Sequence, residues 1–198
     1  MSLAKTSKTT VNRLPARASY DQELLNSIID EAKCGHLAFS LDNQPHSIPM
    51  LFWRDDKWLY CHCSTVSRLK QLVGQDVCIS FAIVDGYVYA KSAFHHSMNY
   101  RSAVIYGQFE QIADESAEKL SALKGLIDLF DESRWDKIRQ PDRKELNATA
   151  VLKLKLAEAV VKVRSGPPSD KTSDEQLDVW AGVIPLLHSY GAPQIHEY

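Results

Sequence analysis

The tightest constraint on this chain is a succession of short alternating segments broken by turn chemistry. Residues 36–41, 46–53 and 57–63 are strand-like runs, the last with clear alternation, and Asp42-Asn43-Gln44-Pro45 and Arg54-Asp55-Asp56-Lys57 lie between them. A period of two puts successive side chains on opposite faces, which suits strands and not helices. Further runs at 77–84, 87–90, 102–110, 149–155 and 157–164 continue the pattern, with Asp85-Gly86 as a turn. Strands this short and closely spaced meander, so the expectation is a mainly β fold: a six-stranded antiparallel barrel with helices covering its ends. Three helices are expected, a short one at about 65–73 and two longer ones. Ser19 and Gln22 form a capping box before residues 21–30. Residues 114–130 carry Leu120, Leu123, Ile127 and Phe130 on one stripe, which reads as core.

Composition narrows the class of partner. A net charge of −2 and a pI near 6.4 argue against a nucleic-acid surface. No apolar run approaches the ~20 residues needed to span a bilayer, and the polar first ten residues lack the apolar stretch of a signal peptide. A cytoplasmic protein is expected. Its organisation reads as a flexible arm over 1–18, one barrel domain over 19–190 and a tail over 191–198.

The densest chemistry lies in Trp58-Leu59-Tyr60-Cys61-His62-Cys63-Ser64-Thr65-Val66-Ser67-Arg68. Trp58, Tyr60 and His62 project to one face of a strand, and Leu59, Cys61 and Cys63 to the other. Ser64 and Thr65 then suit a helix cap, with Arg68 and Lys70 in the following turn. Hydroxyls, backbone N–H groups and a guanidinium at such a junction suit a phosphate. They equally suit an ordinary capped helix with a surface arginine. No G-x-G-x-x-G or P-loop motif offers another phosphate site.

The remaining polar clusters are weaker. Cys61 and Cys63 flank His62, but strand geometry turns the imidazole away from both thiols and no second ligand pair follows, so no metal site is expected. In Phe94-His95-His96-Ser97, adjacent histidines on an extended segment point apart, which disfavours one shared metal. Arg101 enters the strand with Tyr100 and Ser102, and an inward arginine there needs an anion or a carboxylate. Arg164 ends a strand before Ser165-Gly166-Pro167-Pro168. Trp180 sits beside Ala181-Gly182 in the apolar run 179–187, as a core ring or as one wall of a pocket.

The segments His46-Ser47-Ile48-Pro49-Met50, Tyr60 to Arg68, Phe94 to Gly107, and 162–168 with 180–186 together resemble the flavin-binding split barrels related to pyridoxamine 5'-phosphate oxidase. Within that family they resemble the nitroimidazole-resistance or flavin-nucleotide-binding branch. The chain lacks the R-x-V-L-L-K strand motif and the C-terminal R-x-H of the vitamin B6 oxidase itself, which argues against that reaction. The resemblance implies a homodimer with FMN in clefts between the chains. It places the phosphate near Ser64, Thr65, Arg68 and Lys70, and the ring along Pro49, Met50 and Leu51. His62, Cys63, Arg101, Ser102, Arg164 and Trp180 are the further cofactor-binding candidates. His62 and Tyr100 are the catalytic candidates, as proton donors to a small acceptor (a nitroaromatic, a quinone or another flavin) reduced at the expense of NAD(P)H. The alternative is a flavin store or sensor, or a haem-binding relative in which His95 or His96 ligates iron.

Overall fold

The computed structural model describes residues 2–114 and 116–196. Met1 and residues 197–198, the extremities of the expected arm and tail, lie outside them. The chain forms two units: Met1–Ile83 with Ser102–Val163, and Val84–Arg101 with Arg164–Tyr198. Ten strands are present among the described residues, short pairings of two to four residues adding to the longer antiparallel ones.

The first unit starts with β1 (Ala18–Ser19) and α1 (Gln22–Ala32). Asp21 caps α1 by accepting from Glu23 N–H, and Ser19 accepts from Asp21 N–H, so the expected Ser19 capping box is replaced by an aspartate cap. Next come β2 (Cys34–Leu41), β3 (Gln44–Leu51), β4 (Trp53–Arg54), β5 (Trp58–Ser64), β6 (Asp76–Tyr89) and β7 (Ser97–Gln111). Helices α2 (Ala117–Asp128) and α3 (Arg143–Ala148) precede β8 (Thr149–Lys155) and β9 (Glu158–Arg164). The hydrogen-bonded order is β3-β2-β6-β7-β8-β5-β4, with β9 on β1 and β7. β3 and β4 end that path, which does not close on itself: this is the split-barrel arrangement.

Alternation produces the core. Leu37 and Phe39 of β2, Leu59, Cys61 and Cys63 of β5, Ile79 and Phe81 of β6, and Leu152 and Leu154 of β8 turn into one cluster. Gly35 is required there, since a Cβ at that position would lie 2.7 Å from the Phe81 ring. The β2–β3 hairpin turns on Asp42 and Asn43, both at positive φ (51° and 59°), which the right-handed twist of a two-residue hairpin demands. Pro45, expected in the turn, is therefore already in strand.

Three expectations change. The arm packs: Leu3 and Thr9 are buried, Leu3 N–H donates to Tyr20 O, and Thr6 donates to Glu158. The stripe on α2 is rotated, leaving Leu120 and Phe130 exposed. Leu123 of the expected stripe packs on Trp53, Tyr60 and Val151, joined by Ala122, Leu126 and Leu129. Lys119, fully buried, is satisfied by Asp114 (3.0 Å) and Leu146 O (2.8 Å). The third change is in the second unit, where Asp85-Gly86 does not turn and β6 runs straight through. Gly86 admits β10 (Gly182–Pro185), because a Cβ there would meet Ile184 O at 2.8 Å.

Candidate functional site

β5 ends at Ser64, and the chain turns at once through Ser67 N–H to Ser64 O (2.9 Å) into a five-residue 3-10 segment, Arg68–Leu72. Ser67, not Ser64 or Thr65, caps it by accepting from Leu69 N–H. Ser64 Oγ accepts only a long bond from Val66 N–H (3.4 Å), and Thr65 donates through N–H and hydroxyl to Ala148 O. So short a turn has no helix dipole worth counting. Any anion affinity here comes from side chains.

Arg68 supplies it. Leu69 and Leu72 anchor the turn in the core while Arg68 stays exposed, its guanidinium 5.9 Å from the Phe39 ring centre. Among the described residues it has no hydrogen-bond or ion-pair partner. Phe39 stacks on His46 of β3 at 5.0 Å, so Arg68 stands beside the barrel's edge strand. Pro49, Met50 and Leu51 lie three to five residues further along that strand, roughly 10–17 Å away, opposite His36, Gly35 and Cys34. β3 pairs only with β2 among the described strands, leaving alternate backbone groups of its outer edge free. Pro49 is tolerated for the same reason. Lys70 is half-buried near Cys63. Burial pushes the Cys63 thiol up, against the pull of a Ser67 hydrogen bond and the Lys70 charge.

His62 faces the other way. Its ring lies 6.0 Å from Trp53, and partial burial lowers its pKa below the ordinary value. With Leu123 and Ile127 of α2 and Trp135, Ile138 and Arg139 of the following segment, it lines a cleft of ≈ 330 Å³. Arg139 is held at that cleft by a two-pronged pair with Glu145 (2.6 and 3.0 Å), which pulls the Glu145 carboxyl down to about 2.

Ser102, also in the first unit, donates to Lys162 O. The second unit holds the remaining candidates. Arg101 binds Asp85 through Nε (3.0 Å) and Nη2 (2.6 Å), the carboxylate partner an inward arginine requires. Arg164 is bonded to Asn99, Gly166 O and Pro167 O, which fixes the loop after β9. Trp180 packs on Tyr89 at 4.9 Å, and Tyr100 is half-buried. His96 Nδ1 meets Ser92 O at 3.0 Å, and His95 packs edge-on against the exposed Phe94 ring. Among the described residues no group of three or more His, Cys, Asp and Glu is arranged to hold a metal.

The family described as pyridoxamine 5'-phosphate oxidase matches residues 21–163. The chain belongs to that family. The flavocytochrome Anf3 from Azotobacter vinelandii superposes with a TM-score of 0.91 at 37% identity, covering 96% of this chain and 89% of that one. A FAD and haem binding protein from Mycobacterium smegmatis gives 0.86 at 35% identity, covering 91% and 89%. A candidate 5-nitroimidazole antibiotic resistance protein from Bacteroides thetaiotaomicron shares the fold, with a TM-score of 0.59 at 23% identity over 74% and 86%. No curated protein matches.

For this member of the pyridoxamine 5'-phosphate oxidase family, sequence reasoning missed two features. One is the wall that α2 and residues 135–146 raise around His62; its signal was the set Trp135, Ile138 and Pro141 inside a charged stretch. The other is Asp170, whose carboxylate accepts from Lys91 N–H and Ser92 N–H and so ties down the backbone just before His95 and His96. Nothing in the local sequence marks it.

Proposed function

We propose that this chain binds a phosphate-bearing flavin along β3, with Arg68 as the phosphate clamp, and that it also takes haem. It would act as a homodimeric oxidoreductase passing electrons from NAD(P)H to a small acceptor. The observation that carries the flavin reading is a guanidinium that, among the described residues, has no hydrogen-bond or ion-pair partner beside a free sheet edge. An arginine left unpaired at such a place suits a phosphate geometrically and electrostatically. The free N–H and C=O groups of β3 suit the polar edge of a flat ring, and half-buried Met50 and Leu51 its apolar faces. Flavin and haem, when bound, supply the redox chemistry.

Two relatives above 30% identity, one a flavocytochrome and one a FAD and haem binding protein, support the pairing of flavin with haem. The missing dinucleotide fingerprint favours FMN and the mycobacterial relative favours FAD; both carry the phosphate that Arg68 would meet. Ser64, Thr65 and Lys70 would add hydroxyl and charge around it. The proton for the reduced acceptor would come from Tyr100 or His62. Exposed Tyr87, Phe94, Trp180, Ile184 and Leu187 in the second unit support a second copy of the chain as partner. No helix among the described residues is long and apolar enough to cross a membrane, and four free thiols suit a reducing cytoplasm.

The test is the absorption spectrum of the purified protein, repeated after loading with FMN, FAD and haemin. A flavin band and a Soret band, each at one per chain and lost together on unfolding, are expected. Failure of the protein to retain any flavin would overturn the proposal.

A further inference from the structure

We infer that the cleft between β5, α2 and residues 135–149 is the haem site, and that His62 is the ligand it offers to iron. This rests on the reading above that the chain takes haem, and it names the residues responsible. A haem site needs an apolar slot, an imidazole with a nitrogen free to coordinate, and an opening to water for the carboxylate edge.

The cleft meets each need. Leu123, Ile127, Trp135 and Ile138 wall it, and its ≈ 330 Å³ lies within the range of small-molecule sites. His62 projects into it from β5, a strand paired along its whole length with β8. Among the described residues no hydrogen bond occupies either of its ring nitrogens. The Arg139–Glu145 pair stands among the lining residues as a neutral couple, and the same glutamate closes the capping box of α3, so this wall is held in place.

The other histidines are placed differently. His46 is stacked on Phe39 beside Arg68. His96 has its Nδ1 engaged by Ser92 O, and His95 packs edge-on against Phe94. Of the seven histidines in the chain, His62 is the one that lines this cleft. It also shares a face of β5 with Ser64, two residues on, which starts the turn to Arg68. One strand would then connect the two cofactor sites. Assignment to iron removes His62 from the proton-donor role and leaves that role to Tyr100.

The experiment loads the full-length protein with haemin and records optical and electron paramagnetic resonance spectra. His62→Ala should lower haem affinity at least tenfold and abolish the histidine-ligated spectrum, with added free imidazole restoring it. Flavin binding, followed by fluorescence, should not change. Ile127→Trp, which fills the cleft and spares the imidazole, should also exclude haem. His95→Ala and His96→Ala should bind haem like the wild type. An unchanged spectrum and affinity in His62→Ala, or loss of the signal in His96→Ala, would overturn the assignment while leaving the haem reading intact. A wild-type protein that takes up no haem would overturn the reading itself.

Discussion

The two units differ in how they place their candidate cofactor cations and their large apolar side chains. The first buries large apolar side chains around β2, β5, β6 and β8 and, among the described residues, leaves the guanidinium of Arg68 without a hydrogen-bond or ion-pair partner. The second pairs Arg101 with Asp85 and ties Arg164 to Asn99 and two carbonyls, yet leaves Trp180 59% and Leu187 89% exposed. All three arginines looked alike as cofactor cations in the sequence. What separates them is whether the fold supplies an acceptor: where it does, the arginine holds structure, and where it does not, the guanidinium stands without a hydrogen-bond or ion-pair partner among the described residues.

The contrast in apolar burial predicts the largest effect. Leu59→Ala, in the closed core, should cost about 2–5 kcal/mol of unfolding free energy in a urea titration. Trp180→Ala should cost under about 1 kcal/mol in the same titration at low protein concentration but weaken self-association in sedimentation. Equal losses of stability in the two variants would erase the distinction.

The arginines come next. Arg68→Ala should weaken flavin binding by about 1.5–3 kcal/mol, more than tenfold, with the melting temperature unchanged. Arg101→Ala should do the reverse, costing about 1 kcal/mol of stability, since its pair with Asp85 is partly exposed and screened. Flavin binding should be retained. A flavin defect in Arg101→Ala with an intact fold would move the cation role to the second unit.

The smallest effect is a pH dependence inside the first unit. Burial works to raise the Asp55 pKa, but hydrogen bonds from Tyr60, Lys57 and Trp58, with Arg54 nearby, outweigh it and lower the value below 3.8. A depressed carboxylate pKa contributes stability that is fully present above the unfolded value and is lost as pH falls through the folded one. Tyr60→Phe should therefore cost about 1 kcal/mol at neutral pH, a gap that narrows below about pH 3.8. A gap that is constant with pH would show that Tyr60 acts through packing against Trp53 alone.

Much of the first unit was legible because alternation and turn chemistry are local. The runs at 149–155 and 157–164 match β8 and β9 within a residue. Asp85-Gly86 misled because a glycine that admits a neighbouring strand looks identical to one that turns, and β10 pairs there from a hundred residues away. The α2 stripe misled because Leu120 and Phe130 satisfy the helical period, while the face that packs is set by Trp53 and Tyr60 across the fold. The site was legible as a junction but not as a geometry. Spacing marked 64–68, whereas the pairing of Arg101 with Asp85 and the wall around His62 depend on tertiary placement.

The central claim is that Arg68 holds a flavin phosphate, and the most direct measurement compares riboflavin, FMN and FAD by fluorescence titration in wild type and Arg68→Ala. FMN and FAD should bind the wild type at least tenfold more tightly than riboflavin, and the variant should lose that preference. Equal affinity of the wild type for riboflavin and the two phosphate-bearing flavins would contradict the claim.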